Sequence, residues 1–105
     1  MPAIKTAKND TSRSIRKKAI FWLGQKASKE CVAFLKDVVE NEEEESVKSS
    51  AVFAISQLHK TRAVPMLIQI ARGNKNPKIR RKAIFWLGEI GDEQAIQFFE
   101  EILLK

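Results

Sequence analysis

Apolar side chains recur at spacings of three and four residues along two stretches of the first 43 residues. This spacing places them on one side of an α-helix, so each stretch is predicted to be an amphipathic helix. We call the first helix A and the second helix B. The apolar members of helix A are Ile15, Ala19, Trp22 and Leu23, and those of helix B are Val32, Leu35 and Val39.

The same pattern returns at a fixed interval of 32 residues. Residues 15–25 and residues 79–89 share nine of eleven positions, and a looser copy occupies residues 47–57. A period of about 20 to 50 residues is typical of a solenoid, in which each unit buries its apolar faces against its neighbours. The sequence therefore predicts an all-α solenoid of three two-helix repeats. The units are approximately 12–43, 44–75 and 76–105.

Capping residues mark the ends of the predicted helices. Asn76 followed by Pro77 is typical of a helix start, and Ser12 holds the same place in the first unit. We expect Gly88 and Gly91 to end the third helix A. The predicted N-caps of the three B helices are Ser28, Thr61 and Asp92.

Composition narrows the classes of function. A hydrophobic content of 44% and a charged content of 30% are typical of a soluble protein, and no run of apolar residues reaches the ~18 that span a membrane. We expect a cytoplasmic location unless a parent protein carries an export signal. The chain has one cysteine, Cys31, and one histidine, His59, which excludes an internal disulfide and disfavours a metal site. Since Cys31 aligns with Ala63 and Ala95, it is predicted to be buried. No catalytic, cofactor-binding or metal-ligating set is evident, so we expect no enzyme activity.

Both ends of the chain fit the register of the repeat. Residues 2–7 superpose on residues 66–71, so residues 1–11 are predicted to be the remnant of a preceding helix B. The chain ends at the end of a helix B, without the polar capping unit that usually closes an array. We therefore expect a segment of a longer array, whose exposed terminal faces would favour self-association.

The repeat resembles a known family. Residues 79–92 read Ile-Arg-x-x-Ala-x-x-x-Leu-Gly-x-x-Gly-Asp, and residues 63–67 read Ala-Val-Pro-x-Leu. These motifs are similar to HEAT-like repeats of phycobilisome-lyase-related bacterial proteins and of artificial helical-repeat scaffolds. The match covers residues 12–105 and departs at the A–B turns, through Ala27, Ser56 and His59. The resemblance implies a right-handed α-solenoid whose B helices line an inner, often partner-binding, surface.

The outward side of helix B is the candidate partner-binding surface. Its residues differ between the units while the core positions repeat, as a surface shaped for one partner would. Drift of exposed side chains would produce the same variation. The candidate residues are Phe34, Asp37, Arg62, Met66, Gln69, Gln97, Phe98 and Glu101. This interpretation favours a non-catalytic scaffold that binds a protein or peptide.

Nucleic-acid binding is the alternative. The net charge is +6, and two basic clusters lie at equivalent starts of the first and third A helices. Phosphate binding needs little more than positioned lysines and arginines. Against it, the middle unit has Lys48, Ser49 and Ser50 at the equivalent place, preceded by Glu40 and the acidic run 42–45. The residues of this alternative are Arg16, Lys17, Lys78, Arg80 and Arg81.

Aromatic residues recur on helix A. Trp22 and Trp86 are predicted to point into the core, since they continue its apolar stripe. Phe21, Phe53 and Phe85 fall on the opposite side in all three units. We expect these phenylalanines to pack one repeat against the next, with a contact strip for a partner as the alternative.

Overall fold

The computed structural model describes residues 13–26 and 28–104. Within these residues the chain forms six α-helices and no strand. The A helices begin at Arg13, Glu45 and Pro77, so their interval is 32 residues in both steps. The predicted remnant helix of residues 1–11, Ser12 and Ala27 lie outside the described residues. The helices are α1 (Arg13–Lys26), α2 (Lys29–Asn41), α3 (Glu45–Ser56), α4 (Lys60–Gly73), α5 (Pro77–Ile90) and α6 (Glu93–Leu103).

The helices stack in the order that the repeat predicts. Helices α1, α3 and α5 are the A helices, and each packs against the next one in the series. Helices α2, α4 and α6 are the B helices. Each packs against its own A helix, and α2 and α4 also pack against the A helix that follows. The described part of the chain is therefore an all-helical repeat stack, as expected.

The core is built from equivalent positions of the three units. Ala19, Ala51 and Ala83 are all buried, as are Leu23, Ile55 and Leu87 one helical turn later. Cys31 is fully buried together with Ala63 and Ala95, which confirms its predicted role as a small core residue. The small side chains at these positions let neighbouring helices approach closely, because a bulky residue would separate them.

Caps fix the helix ends, with two corrections to the predicted set. The side chains of Ser28 and Asp92 accept hydrogen bonds from first-turn backbone N–H groups, as predicted. Thr61 is not the cap of α4, because the Nδ1 atom of His59 accepts from the Thr61 N–H at 3.3 Å. Gly91 ends α5 with φ of 64°, whereas Gly88 lies inside the helix and does not stop it.

Several predicted core residues at the two ends of the described stack are exposed. Ile15 is 45% exposed, although its equivalents Val47 and Ile79 are buried by the preceding unit. At the other end, Ile96 and Leu103 of α6 are 49% and 78% exposed. The equivalent side of α4 packs against α5, the A helix that follows it. No helix follows α6 in the described residues. Burial in a stack thus depends on a residue's neighbours as well as on its own helix.

Candidate functional site

The B helices α2 and α4 leave a groove between them. This groove, which we call the B groove, has a volume of about 500 Å³. Its apolar lining comes from Val39, Met66 and Ile70. The polar residues around it are Lys36, Glu40, Asn41, Lys48, Gln69, Asn74 and Lys75. Three lysines against one glutamate make the groove positively charged, so it suits an anionic ligand with an apolar side chain.

The seam between the next two B helices, α4 and α6, is filled. Arg72 lies over the ring of Phe98, with 5.2 Å between the guanidinium carbon and the ring centroid. Arg72 also forms an ion pair with Glu101. Phe98 is only 4% exposed in this arrangement. The side chains of α4 and α6 thus close their own seam.

The two seams differ at three equivalent positions. Where the closed seam has Arg72, Phe98 and Glu101, the B groove has Glu40, Met66 and Gln69 one period earlier. An unbranched methionine fills less space than a phenylalanine ring. In addition, Glu40 lacks the guanidinium group with which Arg72 covers the ring of Phe98. The B groove therefore differs from the closed seam in its side chains, and its helices α2 and α4 also approach each other less closely than α4 and α6 do.

The structure brings together only part of the predicted B-face set. Met66 and Gln69 line the B groove. Phe98 was expected to be an exposed anchor and is buried, so this prediction is wrong; Arg72 and α4 cover its ring. Phe34 is half-buried against the core, and Glu101 is paired with Arg72. Of the others, Asp37 accepts a hydrogen bond from Asn41 at 2.7 Å, and Arg62 and Gln97 are exposed outside the lining of the B groove.

A row of five aromatic rings crosses the three A helices on another face. Phe21 and Phe53 are nearly parallel, with centroids 6.2 Å apart, and Trp86 lies 5.2 Å from Phe53. The row continues outward to Trp22, 5.8 Å from Phe21, and to Phe85, 5.0 Å from Trp86. We call these five residues the aromatic row. The predicted packing between repeats is confirmed for Phe21 and Phe53, but Trp86 takes the place expected of Phe85.

The aromatic row corrects the predicted orientation of the tryptophans. Trp22 is 64% exposed and does not point into the core, whereas Trp86 is partly buried and packs against the edge of the core. Trp86 packs on Phe53 of the preceding A helix, and Trp22 occupies the equivalent side of α1. Ala54, at the same position of α3, is buried against Gly24 instead.

Two adjoining grooves lie beside the aromatic row. The first, of about 510 Å³, contains Lys17, Lys82, Phe21, Phe53 and Trp86. The second, of about 840 Å³, adds Lys78, Arg81 and Phe85, together with Glu45, which pairs with Lys78. Ser46 and Ser49 line both grooves. Ser49 stands in the middle unit where the outer units carry Lys17 and Arg81, so there is room for a depression between these cations.

Two arginines of the predicted phosphate-binding set, Arg16 and Arg80, make polar contacts within the fold. Arg16 donates to Glu42 at 3.2 Å, and its side chain is only 16% exposed. Arg80 donates from Nη1 to the backbone carbonyl of Asn74 at 2.5 Å. Arg16 therefore contacts the loop between α2 and α3, and Arg80 contacts the loop that precedes its own helix, α5. Lys17, Lys78 and Arg81 of the same predicted set do line the grooves beside the aromatic row.

Three of the four glutamates in the acidic run 42–45, at the start of α3, form ion pairs. Glu42, Glu44 and Glu45 form ion pairs with Arg16, Arg13 and Lys78, at 3.2, 3.4 and 3.9 Å. In the part of the chain that the structure describes, no ion pair involves Lys17, Arg81 or Lys82. Three of the five carboxylates expected to interrupt a basic surface thus form ion pairs, whereas Lys17, Arg81 and Lys82 form none among the described residues.

Sequence reasoning missed several residues of these surfaces. Lys36 and Lys75 of the B groove, and Lys82 beside the aromatic row, were not among the predicted site residues. The signal that could have found them was a comparison of equivalent positions. The pairs Glu40/Arg72 and Met66/Phe98 differ in size and charge, and this difference is visible in the sequence.

The described surfaces offer three grooves that a ligand can enter. Among residues 13–26 and 28–104, no group of three histidine, cysteine, aspartate or glutamate side chains is placed to hold a metal ion. None of the described helices is long and apolar enough to cross a membrane. No curated protein matches the sequence. A family model described as HEAT repeats matches residues 34–105. This match covers more than half of the chain and agrees with the stacked helical pairs, so the chain belongs to the HEAT repeat family.

Proposed function

We propose that this chain is a non-catalytic scaffold that binds a short peptide segment of a partner protein in the B groove. HEAT repeats generally serve as protein-interaction scaffolds, which supports the class of function. The observation that carries the proposal is the contrast between the two seams: the chain closes the seam between α4 and α6 and leaves the one between α2 and α4 open.

The lining of the B groove suggests the chemistry of the peptide. Val39, Met66 and Ile70 offer a small apolar floor, and burial of one apolar side chain there would supply about 1.5–3 kcal/mol. Lys36 and Lys75 lie at the rim, where exposed cations favour acidic neighbours and mainly speed association. The proposed ligand is therefore an apolar residue flanked by aspartate or glutamate.

The groove is preformed by regular helices, which lowers the cost of binding. Its walls belong to α2 and α4, and the loop at its end is fixed by Asn74, whose side-chain amide donates to the Val39 carbonyl at 3.4 Å. A rigid site loses little conformational entropy when a ligand binds. Binding should thus leave the helical stack unchanged.

Three finer features belong to the same proposal. We propose a right-handed superhelix, kinship with the HEAT-like repeats of phycobilisome-lyase-related bacterial proteins, and residence in the cytoplasm as part of a larger scaffold. The chain would then supply one binding groove within a longer stack. Self-association through terminal faces is a further expectation, supported by the exposure of Ile96 and Leu103.

The test is to close the B groove with the chain's own residues. The triple variant Glu40→Arg, Met66→Phe, Gln69→Glu copies the closed seam onto the open one. A random peptide display library is selected against the original chain, and the enriched peptides are then measured against both proteins by fluorescence anisotropy. We expect acidic peptides with an apolar centre that bind the original chain and lose at least tenfold in affinity for the triple variant.

The matched control alters another face of the molecule. Lys17→Glu/Lys82→Glu leaves the B groove intact, so the selected peptides should bind this variant as they bind the original chain. Peptides that bind the triple variant equally well, or no enrichment at all, would refute the proposal. Circular dichroism of each variant establishes that its helices are retained.

A further inference from the structure

We infer that the face carrying the aromatic row is a second binding surface, independent of the B groove, and that it takes single-stranded nucleic acid. Three features lie together on this face: five adjacent rings, cations that form no ion pair among the described residues, and polar side chains that line the same grooves. The inference does not rest on the proposed peptide site, because the two surfaces share none of their lining residues.

Three of the five rings offer exposed aromatic surface on which bases can stack. Trp22, Phe85 and Phe21 are 64%, 56% and 37% exposed, which is unusual for large apolar side chains of a small protein. The steps between neighbouring centroids are 5.0 to 6.2 Å; Phe21 and Phe53 are nearly parallel, and the other neighbouring rings meet at angles of 56 to 79°. Every base has a π-face, and successive bases of a single strand stack on such side chains without sequence preference.

Cations lie where a phosphate backbone would run. Lys17 and Lys82 face the groove that contains Phe21, Phe53 and Trp86, and Arg81 lies in the adjoining groove. The described residues include no carboxylate paired with any of the three. Ser49 lines both grooves and can donate a hydrogen bond to a phosphate oxygen. Bases on the rings and phosphates on the cations would thus use both parts of the surface.

A single strand fits this surface better than the other polyanions. A duplex hides the faces of its bases and would contact only the cations. An acidic peptide would likewise neutralise Lys17 and Lys82 but would leave the rings largely in water. The unpaired bases and the phosphates of a single strand can contact the rings and the cations at the same time.

The experiment measures binding and stacking on the same protein. An end-labelled oligothymidylate of about 12 nucleotides is titrated by anisotropy, a length within the range that single-strand binding folds occupy. Trp22 and Trp86 are the two tryptophans of the chain, so stacking of bases should also quench the intrinsic fluorescence. With three or four phosphate contacts, affinity should fall about 20- to 50-fold between ~50 and ~200 mM salt.

Two charge-reversal variants of equal net charge separate this surface from general electrostatics. Lys17→Glu/Lys82→Glu should weaken oligonucleotide binding at least tenfold, whereas Lys36→Glu/Lys75→Glu, at the B groove, should change it less than threefold. Trp22→Ala alters an exposed side chain and should weaken binding about 5- to 100-fold, as expected for the loss of one stacked base.

Four results would overturn the inference. They are no binding at ~50 mM salt, equal losses in the two charge-reversal variants, tighter binding of the matched duplex, and equally tight binding of a polyglutamate of similar length. The last result would assign the surface to an acidic protein. Peptides selected on the B groove should still bind the Lys17→Glu/Lys82→Glu variant, so failure here and failure of the peptide site are distinguishable.

Discussion

Two glycines at equivalent positions of the repeat are expected to respond in opposite ways to the same substitution. Gly24 of α1 and Gly88 of α5 are two repeats apart, and each is the third residue from the end of its helix. A Cβ built on Gly24 would lie 2.9 Å from the Cβ of Ala54 and 3.2 Å from its carbonyl oxygen. A Cβ on Gly88 would meet nothing within 4 Å. The substitution is Gly→Ala at each site.

The magnitudes follow from two opposing effects. Alanine gains about 0.5–1 kcal/mol over glycine in a helix, and this gain applies to both sites. At Gly24 the added methyl also overfills the contact between α1 and α3, which costs about 1–3 kcal/mol, since Ala54 cannot move away without its backbone. We expect Gly24→Ala to lower the free energy of unfolding by about 1 kcal/mol and Gly88→Ala to raise it by about 0.5–1 kcal/mol.

Urea denaturation followed by far-UV circular dichroism measures both changes. In thermal denaturation of a domain of this size, a change of 1 kcal/mol in the free energy of unfolding shifts Tm by about 4–8 °C. The two variants should therefore be clearly separated by either method. A double-mutant cycle of Gly24→Ala with Ala54→Gly should show a favourable coupling of about 1 kcal/mol, because Ala54→Gly removes the nearest atom. Shifts of the same sign in Gly24→Ala and Gly88→Ala, or no coupling, would refute the reasoning.

Three further predictions concern single side chains, each measured by urea denaturation. Arg80→Ala should lower the free energy of unfolding by about 1.5–3 kcal/mol, because it removes a charged hydrogen bond to the Asn74 carbonyl. Its neighbour Arg81 is exposed, so Arg81→Ala should change the free energy of unfolding by less than about 0.5 kcal/mol. Equal effects of the two substitutions would contradict the different roles of the two arginines. Asp92→Ala removes the N-cap of α6 and should cost about 1 kcal/mol, and an unchanged midpoint would show that the cap is dispensable. The Ser46 hydroxyl is buried without a partner among the described residues, so Ser46→Ala should raise stability by about 0.5–1 kcal/mol; a loss would indicate a hydrogen bond that the hydroxyl makes in solution.

The repeat and its helices could be predicted from the sequence because they depend on periodicity. The spacing of Ile79, Ala83 and Leu87 reports one side of a helix, and its recurrence after 32 residues reports the stack. Cys31 could be placed in the core for the same reason, by its alignment with two alanines. These inferences need only the order of residues along the chain.

The surfaces were harder to predict because exposure depends on what the neighbouring units place opposite a residue. Phe34, Met66 and Phe98 are equivalent in sequence, yet only Phe98 has Arg72 over its ring. Trp22 and Trp86 likewise share a position, and Phe53 lies against only one of them. A helical wheel treats such positions alike, since it contains no information on the facing helix.

The closed seam has a consequence for the evolution and engineering of the stack. Its three determinants, Arg72, Phe98 and Glu101, are side chains on a regular backbone, so the reverse exchange to glutamate, methionine and glutamine would open a second groove one unit away from the first. Two such grooves on one rigid body would engage a ligand with two matching segments at high effective concentration, and avidity would then exceed the affinity of either groove. The number of open seams, rather than the chemistry of any one of them, would set the strength of binding.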